Sequence, residues 1–115
     1  GIVLQTGSGK SITLSDGKKE IRIEDENQNK IQVQQKEILI QDSSGNEVKL
    51  DQSGITIQSA KKIDIGEGAS EALVKGKTFL QLFNAHNHNH PLGPTSPPVV
   101  PLQAKAVLSE KVKTV

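Results

Sequence analysis

The chain contains no cysteine, tryptophan, tyrosine or methionine, and Phe79 and Phe83 are its only large aromatics. Without cysteine there are no disulfides and no thiolate metal ligands, and the redox compartment stays open. Without large aromatics a globular core lacks its usual filling, and the apolar fraction is only 33%. No apolar run is longer than a few residues, so no segment reads as a membrane-spanning helix. No secretory signal peptide is visible. Charge is balanced, with 14 basic and 13 acidic residues mixed along the chain and a net charge of +1. No basic patch of the kind nucleic acid requires stands out. The chain opens at Gly1 directly in strand-like sequence, and the expectation is that it is a piece of something longer.

What the chain does have is isoleucine. Eleven of its 115 residues are Ile, a β-branched bias that favours strands. The first 65 residues repeat one unit: aliphatic, any residue, aliphatic. The pairs are Ile2/Leu4, Ile12/Leu14, Ile21/Ile23, Ile31/Val33, Ile38/Ile40, Val48/Leu50, Ile55/Ile57 and Ile63/Ile65. Their starts are 10, 9, 10, 7, 10, 7 and 8 residues apart. Turn signals fall between them: Asp16-Gly17, Asn27 to Asn29, Ser44-Gly45-Asn46 and Ser53-Gly54. In a strand, residues i and i+2 share a face, so each unit turns two aliphatic side chains one way and charged or amide side chains the other.

One such strand buries too little apolar area to offset the ordering of its backbone. Eight in a row permit a meander sheet, a single-chain solenoid, or one third of an intertwined trimer. A meander leaves an apolar face uncovered. A single-chain β-helix needs about 20 or more residues per coil. The expected fold is therefore all-β: an intertwined homotrimeric triangular β-helix, with three chains each supplying one strand per layer. Eight layers at about 4.7 Å give a prism roughly 38 Å long, with few free edges. Residues 1–68 form this shaft, 69–101 a cap or tip region, and 102–115 a tail. In the tip region Glu71–Lys75 reads as one more strand, Thr78 as a helix N-cap, and 79–85 as a short helix. A proline-rich extended stretch follows, from Pro91 to Pro101.

Three groups of residues were weighed for chemistry. Gly7-Ser8-Gly9-Lys10-Ser11 matches the end of a phosphate-binding loop, but position 4 is Leu where that pattern needs Gly, and a strand follows; it reads as a solvated turn. The carboxylates lie at turns or on outward positions, with no aromatic cleft around them, and read as a solubilising surface. The histidines are different. His86, His88 and His90 alternate with Asn, so an extended backbone turns all three to one side at the spacing of imidazole ligands on one metal. Two from each of three chains complete an octahedral shell, which favours an ion such as iron over tetrahedral zinc. The competing reading is a polar, His-rich surface turn.

Gly9-Lys10-Ser11-Ile12-Thr13-Leu14-Ser15-Asp16-Gly17, with the repeating Ile-x-Ile units, resembles the β-helical region of phage baseplate central spikes and the related VgrG proteins of type VI secretion. Leu80 to His88, followed by Gly93-Pro94-Thr95-Ser96-Pro97-Pro98, is similar to the H-x-H and Gly-Pro-rich ending of many such spikes. The resemblance implies a trimeric, non-enzymatic spike at the end of a contractile tail or injection apparatus. Its partners would be baseplate and tail-tube proteins, and it would pierce a target outer membrane from a virion or a secreted particle. It also implies an iron ion on the trimer axis held by His86 and His88. His90 departs from the family pattern and leaves a His88/His90 assignment open. The runner-up is a trimeric tail-fibre or tailspike adhesin. A third class is a hydrolase, which needs an open metal position and a general base.

Overall fold

A computed structural model describes residues 1–114; Val115, the end of the expected tail, lies outside the described residues. The chain divides into two units, Gly1–Ala69 and Ser70–Val115.

The first unit is one antiparallel meander of seven strands in sequence order: β1 (Ile2–Gln5), β2 (Ser11–Ser15), β3 (Glu20–Glu24), β4 (Lys30–Val33), β5 (Ile38–Gln41), β6 (Glu47–Asp51) and β7 (Gly54–Gln58). The first seven aliphatic pairs are the centres of these strands. The mostly β character read from the sequence is what the chain adopts. Of the three arrangements considered, the single chain forms the meander.

The register aligns the pairs into two unbroken rows. One runs Leu4, Ile12, Ile23, Ile31, Ile40, Val48, Ile57; the other runs Ile2, Leu14, Ile21, Val33, Ile38, Leu50, Ile55. Side chains two apart in a strand share a face, so both rows lie on the same side of the sheet. Nothing covers them: among the described residues no hydrophobic side chain is buried. Ile38 in the middle is 39% exposed, and Ile55 near the edge 70%.

The opposite face is mainly polar, with Val3 and Leu39 as its aliphatic members. Arg22 stands between Thr13 and Gln32 in register. Gln32 and Glu20 are the buried polar residues of the unit, and Gln32 Nε2 donates to Glu20 Oε2 at 2.8 Å. Arg22 Nε lies 3.5 Å from Glu20 Oε1 and is buried without a hydrogen bond. Polar groups are thus buried on this side while the aliphatic rows of the other stay exposed.

The turns explain the uneven spacing of the pairs. A spacing of 10 recurs wherever a five-residue loop occurs: Thr6–Lys10, Asp25–Asn29 and Asp42–Asn46. In a meander these three loops share one edge of the sheet, and the shorter connections share the other. Each long loop is closed by its first side chain. Asp25 Oδ1 accepts from the backbone N–H groups of Asn27 (2.8 Å) and Asn29 (2.9 Å), and Oδ2 accepts from Asn29 Nδ2 (2.8 Å). Asp42 repeats the set with Ser44 and Asn46. Thr6 Oγ1 does the simpler version, accepting from Lys10 N. The fourth residue of each loop has a positive φ: 98° at Gly9, 67° at Gln28 and 86° at Gly45.

One expectation in this unit needs correction. Ile63/Ile65 does not form an eighth strand. No Gly, Asn, Asp or Pro lies between Gln58 and Ile63 to reverse the chain, and Lys62 instead pairs with Asp64 at 2.9 Å. The shaft ladder of one chain therefore has seven strands. The Lys10 loop is a turn, as read, with the Lys10 ammonium held by Glu26 at 2.8 Å.

The second unit contains α1 (Gly76–Ala85), a two-residue pairing of β8 (Asn89–His90) with β9 (Gly93–Pro94), and α2 (Ala104–Val107) in the tail. Glu71–Lys75 is not a strand, because no neighbouring segment pairs with it. The helix starts earlier than expected, with Lys75 rather than Thr78 at its N-cap. A Cβ at Gly76, the first residue of the helix, would sit 2.8 Å from Leu108 Cδ2. No helix among the described residues is long and apolar enough to cross a membrane.

Gln28 carries a left-handed strain that Gly9 and Gly45 avoid, so Gln28→Gly is expected to stabilise the unit by about 0.5–1 kcal/mol in chemical denaturation. Gly45→Gln is expected to destabilise it, since its Cβ would also meet Ala60 Cβ at 3.2 Å. Acid acts on the same loops. Hydrogen bonds from the Asn29 side chain and backbone hold the Asp25 carboxyl below its ordinary value of 3.8, and those from Asn46 do the same to Asp42. Folded values lower than unfolded ones mean stability that is present above the ordinary pKa and is lost as pH falls through the lowered one. Melting temperature is therefore expected to fall as pH drops below about 4. Asp25→Asn with Asp42→Asn should flatten that dependence; an unchanged slope would assign it to other carboxylates.

Candidate metal centre

The end of α1 is built from rings. Phe79 and Phe83, one turn apart, have centroids 6.1 Å apart; Phe83 and His86 are at 5.1 Å, and His86 and His88 at 5.4 Å, edge to face. The helix stops at His86, whose backbone is extended (φ −69°, ψ 149°). From there the side chains alternate, which brings His88 round to the side of His86.

Hydrogen bonds divide the three histidines. His86 Nδ1 faces the Phe83 carbonyl oxygen. A carbonyl only accepts, so Nδ1 carries the proton and the neutral ring keeps its lone pair on Nε2. This is the arrangement that orients metal-binding imidazoles through their second nitrogen. His88 makes its hydrogen bonds through the backbone: its N–H donates to Thr95 Oγ1 at 2.7 Å, and its carbonyl accepts from Thr95 N at 2.7 Å. His90 is used differently. Its Nδ1 accepts from Leu92 N–H at 3.2 Å, which puts the proton of the neutral ring on Nε2 and leaves neither nitrogen with a free lone pair. The structure brings the rings of His86 and His88 into contact, while the ring of His90 closes a turn.

Among the described residues, no three His, Cys, Asp or Glu side chains lie together as a group that could hold a metal ion. One chain therefore offers two adjacent imidazoles. Their donor chemistry fits iron, nickel, copper or zinc, but two nitrogens do not fill the shell of any of them. A metal held by this pair would take its remaining ligands from outside the chain.

Two side chains that sequence reasoning passed over fix this segment. Asn84, in the last turn of α1, donates from Nδ2 to the Leu102 carbonyl (3.0 Å) and accepts from Leu102 N at Oδ1 (2.9 Å). Thr95 makes the bonds to His88 just described. An Asn two residues before the first histidine was a usable signal; Thr95 had none, since its role depends on a hairpin only two residues long. Compared with known protein families and with curated protein sequences, the chain matches none.

The geometry predicts a division in metal retention. His86→Ala and His88→Ala should each strip bound metal, measured by elemental analysis after dialysis. His90→Ala should retain it within about twofold. Loss in His90→Ala equal to that in the other two would restore the three-histidine set.

Proposed function

We propose that this chain is a mechanical element: a trimeric, envelope-piercing spike of a contractile tail or injection apparatus, clamped at one region by an iron ion. The observation that carries this reading is the aliphatic face of β1–β7, two aligned rows with no cover. Completing the burial of one such side chain contributes roughly 1 kcal/mol, and every strand brings two. Three copies turning these faces inward make a three-sided prism in which each chain supplies one strand to every layer. The mainly polar face then meets water, as suits a rod that pierces rather than inserts. The likeness of the Ile-x-Ile repeats and the H-x-H ending to baseplate spikes supports the same assembly.

The histidine pair fits the metal in this arrangement. His86 and His88 from three copies would supply six nitrogens, an octahedral set suited to iron. A bound ion would supply a cross-link among the three chains. The chain's own residues hold the imidazoles: Phe83 fixes the proton of His86, and Thr95 anchors the backbone of His88. The work is resistance to load rather than catalysis. In this reading the spike acts from a virion baseplate or a secreted particle, with tail-tube proteins behind it and an outer membrane ahead.

Light scattering of the full chain tests the assembly. The expected mass is three times 12.3 kDa, with about one metal ion per trimer; a stable species of one chain's mass overturns the reading. Ile23→Asp and Ile57→Asp place a carboxylate in the covered face, where an unpaired charge costs several kcal/mol, and are expected to abolish assembly. Normal trimers from both variants would mean that this face points outward.

A further inference from the structure

Two hydrogen-bonded brackets enclose the His86–His88 segment. Before it, the Asn84 side chain grips both backbone groups of Leu102. After it, Thr95 grips both backbone groups of His88. His90 is the last residue of β8, paired with Gly93, and its ring turns back to the Leu92 N–H instead. We propose that Asn84 and Thr95 are positioning residues for metal binding, holding the His86 and His88 imidazoles side by side in a chelating arrangement. This rests on the metal reading above.

Little else holds the segment. No residue of α1 is buried, and β8 and β9 are two residues each, with the β8 residues exposed. The hairpin also lacks a donor where a longer ladder would have one. Asn89 stands opposite Pro94, which has no N–H. The next position along takes over: Thr95 supplies its backbone N–H to the His88 carbonyl and its hydroxyl oxygen to the His88 N–H. With both backbone groups of His88 committed, and with Leu102 tied to the last turn of α1, the chain between the brackets has few conformations left. A two-imidazole chelate gains affinity in proportion to how little ordering remains at binding. Outer groups of this kind typically change metal affinity 10- to 100-fold.

Thr95→Val keeps the shape of the side chain and removes the oxygen; Thr95→Ser keeps the oxygen. The full chain is titrated with cobalt(II), whose visible bands report its ligand set, and iron(II) retention is followed under chelator challenge. In the wild type, about one ion per three chains is expected. In Thr95→Val, cobalt(II) affinity should fall about 10- to 100-fold with altered bands, at unchanged trimer mass. Thr95→Ser should restore both within about threefold, and Asn84→Ala should behave like Thr95→Val. A Thr95→Val protein with wild-type affinity and bands overturns the bracket and leaves the metal reading standing. A wild-type chain that binds neither ion sinks the metal reading and the bracket with it. Should Thr95→Val fail to assemble, amide exchange on the metal-free wild type decides: a protected His88 amide is expected, and one that exchanges as fast as an open loop overturns the proposal.

Discussion

Each strand from β1 to β7 turns two aliphatic side chains to the same side, and among the described residues no apolar side chain is buried. The burial that normally stabilises a sheet has therefore been laid out but not completed. Successive strands are hydrogen-bonded within one chain, yet the net contribution of such bonds is small compared with that of apolar burial. In the proposed trimer, stability on this face would come from association and become inseparable from protomer concentration, as in obligate oligomers. The near absence of aromatics suits that proposal. A narrow core shared by three chains would have room for Ile, Val and Leu in rows, and rings would force the walls apart.

The turn loops do the complementary work. Asp25 and Asp42 close their loops with three hydrogen bonds each, all within five residues, and without any contribution from a core. The opposite edge uses shorter connections, such as the one closed by Gln34 N–H and the Glu37 carbonyl at 2.8 Å. Register is thus fixed locally, hairpin by hairpin. That matters because a slip of one residue would carry both aliphatic rows to the polar face. Local closure keeps every wall in register before any partner arrives.

Much of this was legible in the sequence, and the failures have physical causes. The Ile-x-Ile pairs located every strand from β1 to β7, because a period of two is a direct image of the pleat. The alternation of spacings 10, 9, 10, 7, 10, 7 was also on the page. It records long clamped loops at one end of the strands and short ones at the other, and the repeated Asp-x-x-x-Asn of residues 25–29 and 42–46 is the signal of the clamp. Ile63/Ile65 misled because the pair was right and the turn before it was absent. Thr78 misled because the helix starts with Lys75 as its N-cap and without any side-chain cap, so the residue with the best capping chemistry falls inside its first turn. In the histidine cluster, spacing named the residues but treated them as equals. Only the hydrogen bonds of Phe83 and Leu92 to the two outer rings distinguish a ligand pair from a turn residue.

In the proposed spike the two units would divide the labour along the chain. Strands β1–β7 supply stiffness through repetition: every layer is bonded to the next, so a load along the ladder is shared by many weak bonds and no single one must hold. The histidine unit has no repetition and almost no burial, so it cannot gain strength that way. Its bonds are few and specific: two brackets, a ring stack and a fixed tautomer. A chain in that condition is held most efficiently by a strong multidentate interaction at one point, and paired imidazoles are the side chains present that can form one. A metal at this pair, as proposed, would supply to the least repetitive part of the chain the strength that repetition supplies to the strands.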